Sequence, residues 1–248
     1  MKAMVLAAGM GTRLRPLTDT RPKALVEVAG RTMLEITLER LRAFDIRDVI
    51  INAHHFAGQI LDYLKANQNF GMKIEVSCED VLLDTGGGLK EAADFFLNDA
   101  GSASEPFILH NVDVISTIDL NRMIRTHRDG AALATLAVQH RETSRPLLFD
   151  QETRLCGRGS ARDGKDSLVR GSEATQSLAF CGIHVISPRI FSLMTEEGAF
   201  SIIDTYLRLT TGGEKIIAFR ADHYYWRDLG KQEQVKQASK DIRSGTLR

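Results

Sequence analysis

Short apolar or β-branched runs alternate with longer amphipathic segments through the first half of the chain, and few folds accept that rhythm. Lys2 to Ala8 reads as a buried strand, followed by strands at Asp48 to Asn52, Lys73 to Ser77 and Pro106 to His110. Between them, Thr32 to Phe44 sets Leu34, Leu38 and Leu41 on one helical stripe behind Thr32 as a cap. Phe56 to Ala66 does the same with Ile60, Leu61 and Leu64, and Leu89 to Leu97 makes a third helix. A βαβαβαβ order asks for parallel strands joined by crossovers, hence a Rossmann-like α/β fold with a mixed, mostly parallel sheet and helices on both faces. Ligands of such sheets sit at the carboxyl ends of the strands, so function is sought in the turns that follow them.

The second half is less regular. Ala131 to Val138, Leu178 to Ile186, Lys215 to Arg220 and Tyr224 to Arg227 read as strands, Phe200 to Leu209 and Lys231 to Ile242 as helices. Periodicity assigns no element between Asp113 and Ala131. Gln151 to Gln176 is polar and holds Arg154, Arg158, Arg162, Lys165 and Arg170, which suits either a solvated hairpin insertion or a lobe over the substrate. Without internal repeats, a linker or hexapeptide repeats, residues 1–248 are expected to form one domain.

Composition narrows the partners. With 32 basic and 32 acidic residues the formal net charge is zero, so nothing global draws the chain to nucleic acid or an anionic membrane, and any polyanion must be held by local charge. Cys78, Cys156 and Cys181 form no CxxC pair, which suits a reducing compartment and excludes a cysteine-rich zinc module. No apolar run approaches the roughly 18 residues of a membrane span. The expected location is cytoplasmic.

The turn after the first strand, Gly9-Met10-Gly11-Thr12-Arg13-Leu14-Arg15-Pro16-Leu17-Thr18, holds two glycines that let backbone N–H groups approach a phosphate. Leu14 stands where a dinucleotide-binding GxGxxG needs its third glycine, and no Gly-Lys-Ser/Thr makes a Walker A loop. What remains is a glycine turn with Arg13 inside it and Lys23 after Pro22, a combination that suits a nucleoside triphosphate.

These residues, with Pro22-Lys23-Ala24-Leu25, resemble the sugar-1-phosphate nucleotidyltransferases, whose signature is G-x-G-T-R-x-x-P-L-T followed by P-K-x-L. Asp84-Thr85-Gly86-Gly87-Gly88 is similar to that family's glycine-rich nucleobase loop. Asn111-Val112-Asp113 resembles its metal-binding strand end, Cys181-Gly182-Ile183 its sugar-site strand, and Trp226-Arg227-Asp228-Leu229-Gly230 its second metal-binding turn. The resemblance implies the nucleotide-diphospho-sugar transferase fold, with a nucleotide-binding half over about 1–130 and a sugar-phosphate-binding half over about 131–248.

It also implies the site. Leu6, Ala8, Gly9, Gly11, Thr12, Arg13, Lys23 and Thr85 to Gly88 would hold the nucleotide; Asn111, Gly182 and Asp228 the sugar phosphate; Asp113 and Asp228 a Mg2+ ion. Arg13, Lys23 and Asp113 would be catalytic. Longer relatives place a second lysine in a Glu-Lys-Pro step ahead of the strand holding Gly182; this chain has none, and the resemblance leaves that role to a basic residue between Arg154 and Arg170. The implied reaction joins an NTP to a sugar 1-phosphate with release of pyrophosphate, by a monomer or small homo-oligomer. Uridylyl transfer to an N-acetylmuramate- or hexose-type 1-phosphate, a step toward cell-wall precursors, ranks ahead of mannose-1-phosphate guanylyl transfer. Phosphocholine cytidylyl transfer ranks below both, and a non-catalytic nucleotide-binding subunit below all three.

Taken without the resemblance, several of these residues have plainer roles. Either aspartate could be a turn or cap residue, and the three glycines a flexible helix entry capped by Thr85. His54 and His55 are adjacent on an extended backbone, point apart and are assigned to a loop; His110 and a buried Cys181 are structural. Trp226 is expected in the core beneath the Asp228 turn.

Overall fold

The computed structural model of the protein describes residues 1–98, 104–160, 165–171 and 174–245. In chain order the first half contains β1 (Lys2–Leu6), β2 (Glu27–Val28), β3 (Arg31–Thr32), α1 (Met33–Ala43), β4 (Asp48–Ala53), α2 (Ala57–Ala66), β5 (Lys73–Cys78), α3 (Asp84–Glu91), α4 (Ala93–Leu97), β6 (Phe107–Asn111), β7 (Val114–Ser116) and α5 (Leu120–Asp129). The second adds β8 (Ala134–Gln139), β9 (Leu147–Phe149), β10 (Leu155–Ser160), β11 (Lys165–Leu168), β12 (Gln176–Ile186), α6 (Ile202–Thr211), β13 (Ile216–Arg220), β14 (Trp226–Asp228) and α7 (Gln232–Arg243).

The main sheet runs β11-β10-β9-β12-β6-β1-β4-β5, with β8 on β12 and β13 on β8. Strand β1 is parallel to β4 and β6, β4 to β5, and β13 to β8; β12 runs antiparallel to β6, β8 and β9. The expected mixed, mostly parallel sheet is therefore present. Its strands bury both faces because neighbouring side chains alternate: Ala3, Val5, Val49 and Ile51 join a core with α1, α2, α5 and α7, while Met4 and Ile50 join a second core with α3, α4 and α6. Each fully buried aliphatic side chain contributes roughly 1.5–3 kcal/mol over exposure, so both layers are held in place.

Local signals explain the helix starts. The Thr32 hydroxyl accepts from the Glu35 N–H at 3.0 Å, as its cap position requires. The α5 helix, absent from the periodicity reading, begins behind an Asp119 carboxylate accepting from the Arg122 N–H at 2.9 Å and buries Leu120, Met123, Ile124 and His127 at helical spacing. The polar stretch after Gln151 is a hairpin, β10–β11, paired to the sheet through β9; its Arg162 lies outside the described residues.

Three histidines are sealed into these layers. His110 donates from Nδ1 to the Asn111 carbonyl at 2.8 Å, His127 contacts the Thr135 hydroxyl at 3.0 Å and His184 the Tyr206 hydroxyl at 3.0 Å. Burial pushes them down to about 4, 4 and 3 respectively. Unfolding returns each to an ordinary value near 6.5, so the unfolded chain binds more protons between pH 6.5 and 4. Stability is thus full above pH 6.5 and falls with pH below it. Urea midpoints measured from pH 7.5 to 5 are expected to decline, with proton uptake on unfolding approaching three; a flat profile would show the imidazoles to be accessible in the folded state.

Candidate active site

The site begins with the backbone of the glycine turn. Gly11 lies in the left-handed region at φ 62°, and a Cβ there would stand 2.8 Å from Thr18 Cγ2 and 3.2 Å from Lys23 Cβ. The Thr18 hydroxyl closes the turn by donating to the Gly11 carbonyl at 2.9 Å, and Leu14, in place of a third glycine, is fully buried beneath it. Gly9 has open space where a side chain would be. Arg13 is exposed and forms no ion pair among the described residues.

Close packing at Gly11 places Lys23 against the turn, and Lys23 Nζ forms an ion pair with Asp113 Oδ2, both side chains largely buried. From Asp113 the chain enters β7, which pairs antiparallel with β14 so that Val114 faces Asp228. The Leu229 N–H donates to the Asp113 carbonyl at 2.8 Å, and the Gly230 N–H donates to Asp228 Oδ1 at 2.6 Å. Two aspartates more than a hundred residues apart in sequence are therefore brought to one place, Asp113 in the turn that enters β7 and Asp228 at the end of β14. A Cβ on Gly230 would lie 2.7 Å from both Asp228 Oδ1 and Arg13 Nη2, which puts the Arg13 guanidinium at the same turn. Two neighbouring carboxylates, one of them on the open cleft, are the oxygen donors a hard divalent ion such as Mg2+ prefers.

A cleft of about 820 Å3 opens beside them, lined by Arg13, Asn111, Gly182 and Asp228 of the expected residues. Gly182, at φ +73°, sits where the β12–β8 register shifts, and a Cβ there would meet Asn111 Nδ2 and Val114 Cγ2 at 2.9 Å. That glycine lets the sheet approach Asn111.

Two expectations are corrected. Thr85, Gly86, Gly87 and Gly88 are not a loop but the first turns of α3, and all three glycines are buried. A Cβ on Gly86 would strike the Phe200 ring at 2.4 Å, one on Gly87 the Gly198 carbonyl at 2.4 Å, and one on Gly88 Glu79 Oε1 at 2.6 Å. Thr85 does not cap its own helix; its hydroxyl accepts from the Ile202 N–H at 3.0 Å and ties α3 to α6. Trp226, in turn, is a half-buried wall of the cleft, not a core residue: its Nε1 donates to the Cys181 carbonyl at 2.7 Å and the Arg141 guanidinium lies 3.8 Å over its ring.

Sequence reading missed Asn52, Glu79 and Arg141. Asn52 Oδ1 accepts from the Ala7 N–H at 2.8 Å, and its Nδ2 donates to Glu79 Oε1 at 2.7 Å, while Glu79 Oε2 accepts from the Leu83 N–H at 3.1 Å. This buried network ties the glycine turn to the start of α3 across β4 and β5. A polar Asn ending the apolar run DVIIN was the available signal. The histidines are structural: His54 Nδ1 contacts the Glu79 carbonyl at 2.8 Å and the His55 ring packs on Phe56. Burial pushes the Cys181 thiol up to about 12, which removes it as a nucleophile.

The fold and the paired aspartates beside a glycine turn define a nucleotidyl-transferring α/β protein. The nucleotidyl transferase family model matches residues 2–147, and the chain belongs to that family. It is 34% identical over 220 residues to the N-acetylmuramate alpha-1-phosphate uridylyltransferase of Caulobacter vibrioides, covering 85% of each chain. It is also 36% identical over 238 residues to the probable mannose-1-phosphate guanylyltransferase 2 of Arabidopsis thaliana, covering 93% of this chain and 62% of that one. Among solved structures, HddC from Yersinia pseudotuberculosis complexed with GMP-PN superposes with a TM-score of 0.76 at 21% identity, over 97% of this chain and 99% of that one, a likeness of fold.

Proposed function

We propose that the protein transfers a uridylyl group from UTP to N-acetylmuramate 1-phosphate or a related hexose 1-phosphate, releasing pyrophosphate. The observation that carries this reading is the series glycine turn, Lys23, Asp113, Asp228, Arg13, linked by contact and strand pairing, of which Arg13 and Asp228 line the cleft. A sugar phosphate is ionised at neutral pH, so its oxygen attacks the α-phosphorus without a general base, and the bond to the departing pyrophosphate breaks in line. The turn donates backbone N–H groups to the triphosphate, with Leu6 and Ala8 at its base and Thr12 within it. Lys23 spans the α-phosphate and the acceptor phosphate, where charge accumulates, and Arg13 grips the pyrophosphate in a fork. Asp113 and Asp228 would hold Mg2+, which supplies further neutralisation of phosphate charge. Asn111 and Gly182 face the sugar.

The alignment with a uridylyltransferase over 85% of both chains supports UTP ahead of GTP. Phosphocholine transfer fits poorly: the aromatic cluster is committed, Trp226 to Arg141, and Tyr225 to Asp241 and Arg227. A non-catalytic role has no support in the residues, since Arg13, Lys23, Asp113 and Asp228 are all present. We place the activity in the cytoplasm; no described helix is long and apolar enough to cross a membrane. Pyrophosphate release, measured with each of four NTPs, Mg2+ and a panel of sugar 1-phosphates, tests the assignment. The largest kcat/KM is expected for UTP, and no release with any pair would end the enzymatic reading.

A further inference from the structure

The cleft is more cationic than nucleotidyl transfer requires. Its lining holds Arg13, Arg141, Arg145, Arg158, Arg227 and Lys231 against only Glu142 and Asp228, in a chain whose net charge is zero. Most of these cations have other work. Arg13 and Lys231 flank the Asp228 turn at the triphosphate end. Arg227 is held by Tyr225 Oη at 2.8 Å and Asp241 at 3.0 Å. Arg141 is pinned between the Trp226 ring and the Phe180 carbonyl, to which it donates at 2.7 Å.

Arg145 is left, and beside it Arg158, whose carboxylate partner is the exposed Asp204. Arg158 on β10 stands opposite Leu147 on β9, and the Gly159 N–H donates to the Pro146 carbonyl at 2.8 Å. Arg145 lies in the bend just before β9, next to Pro146, so that hydrogen bond brings its backbone beside that of Arg158, and both residues line the cleft. Adjacent like charges repel unless an anion lies between them. Asp204 from α6 neutralises one, accepting from Arg158 Nη1 at 2.8 Å. The Arg145 guanidinium has no ion pair among the described residues and is exposed. Leu147, Phe180 and Ile203 line the same cleft, as do Thr143 and Ser201. Guanidinium and apolar side chains lining one cleft match a carboxylate on a short aliphatic arm.

We infer that Arg145 and Arg158 read a second anionic group on the acceptor, a carboxylate carried by the sugar besides its 1-phosphate, and so select acidic over neutral sugar 1-phosphates. The inference rests on the nucleotidyl-transfer reading of the cleft. Its test uses matched acceptors with whichever NTP supports turnover: N-acetylmuramate 1-phosphate against N-acetylglucosamine 1-phosphate, which lacks the lactyl ether, and glucuronate 1-phosphate against glucose 1-phosphate. The wild-type protein is expected to favour the acidic member of at least one pair by about 10-fold or more in kcat/KM. Arg145→Gln and Arg158→Gln should each lower that preference by about 10-fold, through the KM of the acidic acceptor, because a charge-assisted contact is lost. Arg145→Lys should restore part of it. Equal kcat/KM within both pairs, an unchanged preference in both variants, or a rise confined to the KM of the NTP would each overturn the inference while nucleotidyl transfer stands. Failure of every NTP and acceptor to release pyrophosphate would remove both readings.

Discussion

Replacing Asp113 by Asn is expected to lower kcat/KM by about 10^2- to 10^3-fold, the usual effect of removing one preorganised electrostatic contact from a transition state. The carboxylate touches the Lys23 ammonium and lies one backbone hydrogen bond from the strand that presents Asp228, so its charge acts on both phosphate-facing groups at once. The amide has nearly the same shape, and its oxygen still accepts from Lys23. Stability should therefore change by less than about 2 kcal/mol, because the largely buried pair loses a charge and keeps a hydrogen bond. Pyrophosphate release at saturating Mg2+, with a urea titration of the same preparation, separates the two effects. Full activity in a folded Asp113→Asn protein would remove Asp113 from the metal site.

The first half of the fold was legible because β1 and β4, buried on both faces, read as short unbroken apolar runs, and its helices, buried on one face, keep a 3.6-residue period. Lys2 to Leu6 and Asp48 to Ala53 form where those runs lie, and the edge strand Lys73 to Cys78 where polar and apolar residues alternate. The α5 helix escaped notice because Asn121, Arg122, Arg125, Arg128 and Asp129 dilute its apolar stripe, although Leu120, Met123, Ile124 and His127 keep helical spacing. The short strand β7 has too few residues for any period to show, and β14, read at Tyr224 to Arg227, forms at Trp226–Asp228; their pairing comes from tertiary contact, yet it is what brings Asp113 near Asp228.

The site was legible where chemistry imposes residue types on a continuous turn, as from Gly9 to Lys23. It was not legible where the needed partner is set by the sheet. Asn52 serves the glycine turn only because β4 lies beside β1, and Arg141 meets Trp226 only because β8 and β14 end at one cleft. The glycine triplet is the plainest case: glycine before a helical pattern reads as a flexible entry, but the same residue also permits close packing inside a helix, and sequence alone does not separate the two.

Gly87→Ala distinguishes them. If the triplet existed only to bring a nucleobase near the backbone, a methyl group would be tolerated by the fold and would even favour the helix by about 1 kcal/mol. In the structure that methyl would stand 2.4 Å from the Gly198 carbonyl and 3.0 Å from Leu83 Cβ, and the carbonyl is backbone, which cannot swing aside as a side chain could. Helix α3 must then separate from the 198–200 segment, weakening the hydrogen bond from the Gly86 N–H to the Phe200 carbonyl, now 2.8 Å. Overpacking of this kind typically costs about 1–3 kcal/mol, more than the gain in helix propensity. The melting temperature should accordingly fall by about 5 °C. Gly9→Ala is the matched control, since its Cβ would project into open space; it should leave the melting temperature in place and raise the KM for the NTP as the methyl obstructs the triphosphate. An unchanged melting temperature in Gly87→Ala, together with a raised KM for the NTP, would return Gly87 to the nucleobase and make the packing incidental.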